Sequence, residues 1–147
     1  VVSGEIMKIG ELAILTNCDV QTIRYYEKEG LIELPVRLNS GYRQYETRHE
    51  EQLNFVRHCR SLGMSIAEIK LLLAFKYQPQ LGCKEINDLL LQQIERTRVQ
   101  VKSLQALEKQ LRSLSASCQE TRTASECGIL KNLTEAAVGR PCDCHHS

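Results

Sequence analysis

Residues 9–32, IGELAILTNCDVQTIRYYEKEGLI, decide how the first half of the chain folds. Ile9, Leu12, Ala13 and Leu15 recur at helical spacing, and Thr16-Asn17 then breaks the pattern. Asp19 is a good N-cap for a second helix, with Thr22 at the position where a capping box prefers Glu. Val20, Ile23 and Tyr26 mark the buried face of that helix and leave Gln21, Thr22, Arg24, Tyr25 and Lys28 outward. Gly30 fits the C′ position that ends it. Two short helices joined by a tight turn, the second exposing Gln, Thr, Arg and Tyr, suit a recognition helix in a DNA major groove. A helical hairpin with a solvated face fits the same residues, so the neighbouring sequence has to decide.

The next stretch, LPVRLNSGYRQYE from Leu34 to Glu46, favours the first reading. Asn39-Ser40-Gly41 is turn chemistry, and Tyr42-Arg43-Gln44-Tyr45 alternates as a strand returning from it, which makes a small β-hairpin wing. From Arg37 to Tyr45 there are two cations, two phenols and no carboxylate. An edge cleared of acids is what a phosphate-facing surface needs. Two further helices follow, one with Leu53, Val56, Cys59 and Leu62 inward, the other starting after a Ser65 cap. Arg57 and Arg60 project from the first of these near the wing, although surface arginines of an amphipathic helix would look the same.

The whole chain of 147 residues carries a net charge of only +1, so DNA binding has to come from local placement of Arg and Lys. No apolar run is long enough to span a membrane and no signal-peptide pattern stands out, so a cytoplasmic protein is expected. The six residues before Met7 read as lying upstream of the functional chain. Seven cysteines are an odd number for a disulfide framework, and in a reducing compartment clustered thiols read as metal or redox sites. Cys18 and Cys59 lie on helical stretches of the first half and suit small buried hydrophobes.

The segments IGELA (9–13), TIRYYEKEGL (22–31), SGYRQY (40–45) with Arg37 before it, and RHCRSLGMSIAEI (57–69) closely resemble the DNA-binding half of the MerR family of bacterial transcription regulators. The resemblance runs without a gap from Ile9 to about Phe75. It implies a winged helix-turn-helix that binds DNA as a dimer. Thr22, Arg24 and Tyr25 would face the groove, and Arg37, Tyr42, Arg43, Tyr45 and Arg60 the phosphate backbone.

From Lys84 to about Ser115 there is neither Pro nor Gly. Leu90, Ile94, Val101, Leu104, Leu107, Leu111 and Leu114 form a narrow apolar seam on a long helix that is otherwise polar. A partner helix covers such a seam readily, and docking on the first half is the competing solution. The family resemblance implies an antiparallel coiled coil. That pairing would carry Cys83 of the partner subunit to Cys118 and Cys127, thiols that otherwise sit at opposite ends of one helix. Three thiolates select soft or borderline ions. Structural zinc prefers four ligands, and the loop between Cys118 and Cys127 offers no further Cys or His.

Zinc-, copper(I)- and redox-sensing branches of the family differ from this chain in their thiol patterns. RHCRSLGM (57–64), CKEIN (83–87), SECGIL (125–130) and Cys18 are most similar to the lead/cadmium-responsive branch. Pb(II) or Cd(II) is therefore the expected inducer, with Hg(II) or Zn(II) as alternatives. Cys142, Cys144, His145 and His146 form a ligand-rich end that could supply an accessory metal site, or could be incidental thiols of a terminus.

The expected fold is mainly α. Its parts are a winged helix-turn-helix domain over 7–76, a linker over 77–83, a dimerisation helix over 84–116, a metal-binding loop and short helix over 117–134, and a Cys/His tail over 135–147. The expected partners are promoter DNA, a second copy of the chain and RNA polymerase, with no membrane. The resemblance implies repression without metal and activation with it, by distortion of promoter spacer DNA. A cysteine-rich metal buffer or thiol enzyme would leave the acid-free wing unexplained, and no C-x-x-C pair or activating base supports it. An organic inducer would need a larger domain after the long helix.

Overall fold

In the computed structural model, which describes residues 6–118, 120 and 122–139, α1 (Ile9–Thr16) stops where Asn17 adopts a left-handed conformation, φ 50°. The buried face of α1 is Leu12 and Thr16 rather than Leu12 and Leu15. Thr16 tolerates burial because its hydroxyl donates to the Leu12 carbonyl at 2.7 Å, and Leu15 lies 56% exposed.

α2 (Val20–Lys28) starts at Asp19, whose carboxylate accepts the Thr22 N–H at 2.8 Å and the Thr22 hydroxyl at 2.9 Å. Thr22 thus reinforces the cap by a route other than the Glu of a capping box. At the other end Gly30 has φ 74°, its N–H donates to the Glu27 carbonyl, and the Leu31 N–H donates to the Tyr26 carbonyl. This is the Schellman stop that the sequence leads one to expect.

The wing is the antiparallel pair β1 (Val36–Arg37) and β2 (Arg43–Gln44), with Val36 opposite Gln44 and Arg37 opposite Arg43. Gly41, φ 83°, lets the turn close, its N–H donating to the Leu38 carbonyl at 2.8 Å. Met7 extends the hairpin by pairing with Tyr45 through two backbone hydrogen bonds of 2.8 and 2.9 Å. α3 (Thr47–Ser61) and α4 (Ile66–Lys76) complete the domain, α4 opening on a Ser65–Glu68 capping box. Leu12, Ile23, Tyr26, Leu31, Leu53, Val56, Met64 and Ile69 share one core. Leu62, expected inside, sits at the C-cap of α3 and is half exposed.

α5 (Lys84–Ala116) runs for 33 residues, about 50 Å at 1.5 Å per residue. One 3₁₀ turn (Ala124–Glu126) then leads into α6 (Gly128–Ala137), which continues past the limit of 134 expected for it. The chain divides into two compact units, 1–93 and 94–147, with the division inside α5. The first turns of α5 belong to the first unit because Leu89 is buried there and the Gln93 amide donates to the Leu62 carbonyl at 2.8 Å. In α6, Ile129 is partly buried, whereas Leu130 and Leu133, both expected to pack, are half exposed and Asn132 is buried instead. Among the described residues no helix is long and apolar enough to cross a membrane.

These burials set a stability test. Leu53→Ala is expected to cost about 2–5 kcal/mol in urea unfolding at fixed protein concentration. Leu15→Ala should stay within about 0.5 kcal/mol of the parent chain. Equal losses would contradict the assignment of the inner face of α1.

Candidate nucleic-acid interface and thiol cluster

α2 presents Gln21, Arg24, Tyr25 and Lys28 outward, as the helical spacing requires. Thr22 is partly buried, with its hydroxyl proton engaged by Asp19. The backbone N–H of Thr22, and after it the Thr22 hydroxyl, holds the Asp19 carboxyl below its ordinary range, so the cap stays ionised. Arg37 and Tyr42 are exposed on the wing. A cleft of 580 Å³ between α1, α2 and the wing turn is lined by Lys8, Gly10, Arg24, Gly41, Tyr42 and Arg43 among others. Lys8 stands 5.7 Å over the Tyr42 ring and adds a cation to this edge. Lys8 lies one residue before the IGELA segment, outside the expected helix, so helical spacing gave no reason to single it out.

Tyr45 and Arg43, both expected at the phosphate backbone, reach Glu27 of α2, and Arg43 also lines the cleft. Tyr45 is fully buried, its hydroxyl donating to Glu27, and Arg43 Nη1 pairs with the other Glu27 oxygen at 2.9 Å. Successive strand residues point to opposite faces, so Arg43 and Tyr45 share one face and Tyr42 takes the other. The shared face looks inward onto α2, where the Glu27 side chain is only 4% exposed. Burial first, then the hydrogen bond to Glu27, pushes the Tyr45 phenol up to about 12. His49, also buried, accepts the Glu46 N–H at Nδ1 and sets its ring edge-on to Tyr45. Tyr45 therefore positions α2 and the wing against each other. Glu27 escaped the sequence reading because nothing on its own helix explains a buried carboxylate.

Arg57 is half buried and donates to the Thr16 carbonyl at the end of α1, which ties α3 to the first helix. Arg60 is exposed and donates Nη1 to the Met64 carbonyl at 2.7 Å. A guanidinium has five N–H groups, so Arg60 keeps donors for a phosphate.

The thiols separate into two kinds. Burial pushes the Cys18 and Cys59 thiols up, which suits packing rather than ligation. Cys83 is exposed just ahead of α5, where its carbonyl accepts the Asn87 N–H. Cys118 is exposed beyond the end of α5, and Cys127 is partly buried as the N-cap of α6. Gly128 lets the start of α6 approach Ser117, the residue before Cys118. A Cβ there would collide with the Ser117 carbonyl and lie 3.3 Å from the Ser117 Cβ. Without a side chain, Gly128 packs against Ser117, so the residues that adjoin Cys127 and Cys118 in sequence are in contact. Among the described residues no group of three or more Cys, His, Asp or Glu stands together in one chain. Cys142, Cys144, His145 and His146 lie outside the described residues.

Comparison with known proteins gives concordant matches. The family described as MerR HTH family regulatory protein matches residues 7–76, and MerR, DNA binding matches residues 50–114. The chain is 33% identical over 139 residues to the HTH-type transcriptional regulator ZntR of Escherichia coli (strain K12), covering 93% of this chain and 99% of that protein. It is similar to the crystal structure of the transcription regulator PbrR691 from Ralstonia metallidurans CH34 in complex with lead(II). That likeness has 44% identity and a TM-score of 0.71, over 86% of this chain and 98% of the other. The dual function transcriptional regulator MerR from Bacillus megaterium MB1, in complex with a mercury(II) ion, is 30% identical with a TM-score of 0.64, over 87% and 99% of the two chains.

The buried phenol makes stability depend on alkaline pH. Below pH 10 Tyr45 is protonated in the folded and the unfolded chain alike, and its contribution is whole. Between 10 and about 12 only the unfolded chain ionises, so stability falls as pH rises. The stability difference between the parent and Tyr45→Phe, followed by denaturant melts across that window, should shrink with rising pH. A pH-independent difference would place the hydroxyl in solvent.

Proposed function

The chain belongs to the MerR HTH family of regulatory proteins, and from that premise we propose that it works as a homodimeric, metal-responsive regulator of promoter DNA. Gln21, Arg24 and Tyr25 read the major groove, with Thr22 beside them. Arg37, Tyr42 and Arg60 hold the phosphate backbone and Lys8 assists at the wing edge. Arg43 and Tyr45 act from behind by fixing the wing to α2, and Arg57 by fixing α1 to α3.

The observation that supports the sensing half of this reading is the close approach of Gly128 to Ser117, the residues next to Cys127 and Cys118 in sequence. Those two thiols need a third donor, and Cys83 of the partner subunit supplies it when two α5 helices pair antiparallel. The seam supports that pairing: Leu90, Ile94, Val101, Leu104, Leu107 and Leu111 are all exposed in the single chain. Covering each contributes on the order of 1 kcal/mol, since about half of each side chain is already shielded. A soft ion held there supplies metal–sulfur bonds between the two chains.

Pb(II) or Cd(II) is the inducer we favour, given the thiol set and the similarity to a lead(II)-bound regulator. Hg(II) is the second reading, because a mercury(II)-bound relative is also matched across most of the chain. Zn(II), which prefers a fourth ligand, ranks below both. In the cycle we propose, the metal-free dimer occupies the promoter and represses it. Loading of the site favours a second dimer geometry, which distorts the spacer DNA and lets RNA polymerase initiate. Cys142, Cys144, His145 and His146 are proposed as accessory ligands only.

Competitive titration of the reduced dimer with Pb(II), Cd(II), Hg(II) and Zn(II), followed by thiolate-to-metal charge-transfer absorption, tests the site. Cys83→Ser should weaken Pb(II) binding by at least about 100-fold, a loss of roughly 2.7 kcal/mol or more, while metal-free promoter binding persists. Unchanged metal affinity would remove Cys83 from the site. Gly128→Ala, which forces α6 off Ser117, should also lower metal affinity while leaving promoter binding in place. A Gly128→Ala protein with parental affinity would show that Cys127 needs no such approach.

A further inference from the structure

We infer that Gln93 is a positioning residue through which a rotation of α5 reaches Arg60, by way of the corner between α3 and α4. The inference rests on the reading of the chain as an inducible DNA-binding regulator. Within the first unit α5 is held near its start by buried Leu89 and by the Gln93 amide, which donates to the Leu62 carbonyl at 2.8 Å. Leu62 is the C-cap of α3, a place where carbonyls lack intrahelical partners.

The corner itself is stiff. The Gly63 N–H donates to the Arg60 carbonyl at 2.9 Å and the Met64 N–H to the Cys59 carbonyl at 3.2 Å, with Gly63 at φ 81°. Met64 is 2% exposed and anchors the far side of the corner in the core. The Met64 carbonyl also accepts Arg60 Nη1 at 2.7 Å. One three-residue corner is therefore gripped by Gln93 from α5 and by Arg60 from the DNA-facing side. A turn closed by its own hydrogen bonds and anchored in the core at Met64 moves as a piece rather than yielding locally. Gly63 serves both ends of the device. Its φ permits the turn, and a Cβ there would stand 2.5 Å from Gln93 Nε2 and displace the amide.

The test uses the full-length dimer, Pb(II) as probe and a promoter fragment. Three quantities are measured: Pb(II) affinity, metal-free promoter affinity, and the ratio of transcription with and without Pb(II). Gln93→Leu keeps the bulk and loses the donor. It should hold both affinities within about threefold and cut the induction ratio by at least about fivefold, the low end of ordinary allosteric coupling. Gln93→Lys, which restores a donor, should recover most of that ratio. Gly63→Ala, acting from the other side of the contact, should reproduce the loss. An undiminished ratio in Gln93→Leu, or a Lys variant no better than Leu, overturns the inference. If the parent protein itself shows no transcriptional response to Pb(II), Cd(II) or Hg(II), the regulator reading falls and the inference with it. An undiminished ratio in a responsive parent background sinks the coupling alone.

Discussion

Of the 33 residues of α5, Leu89 alone is buried within its own chain. Everything else about the assembly follows from that constraint. A helix this long forms readily from a sequence free of Pro and Gly, yet its apolar seam stays half exposed from Leu90 to Leu111. The first unit holds only the start of the helix, and the second consists of the rest of it with α6 against its end. Cover for the seam is what links sensing to DNA binding in the proposed dimer, because the same pairing that buries it would complete the thiol site.

The DNA-binding unit is organised to move as one body. Glu27 receives Tyr45 and Arg43 from the wing, Arg57 of α3 reaches the end of α1, and the Leu62–Met64 corner is tied to both Arg60 and Gln93. The buried tie, Tyr45 to Glu27, has one satisfactory geometry, and the part-buried and exposed ties add to it, which is what a domain needs if tilting it is to shift groove and phosphate contacts together.

Much of this was legible in the residues. Asp19, Gly30 and Ser65 cap as their chemistry dictates, and Asn39-Ser40-Gly41 turns the wing as expected. On α2 the outward places of Gln21, Arg24, Tyr25 and Lys28 follow from helical period, while Thr22 is partly buried where it holds Asp19. The tie behind the wing was not legible for a physical reason: composition groups Tyr42, Arg43 and Tyr45, but strand alternation separates them, and the Glu27 that two of them reach lies on another helix. Thr16 displaced Leu15 from the core because a threonine can satisfy its own hydroxyl within a helix, something apolar spacing does not register. Gln93 was invisible for the same kind of reason, its partner being a carbonyl 31 residues away. The thiols were singled out by spacing, but their assembly across two chains came from family resemblance and remains a proposal. Gly128, whose missing side chain leaves room for Ser117, is the local feature of this chain that supports the proposed Cys118–Cys127 half of it.

The most direct measurement of the cross-subunit site is complementation between two defective chains. One carries Cys83→Ser, and the other carries Cys118→Ser with Cys127→Ser. Neither homodimer should hold Pb(II) tightly. A heterodimer of the two pairs the intact loop of one chain with the intact Cys83 of the other. It should regain one tight site per dimer, with the thiolate absorption of the parent. A heterodimer that binds no better than either homodimer, or a Cys83→Ser homodimer that binds as tightly as the parent, would contradict a site shared between chains.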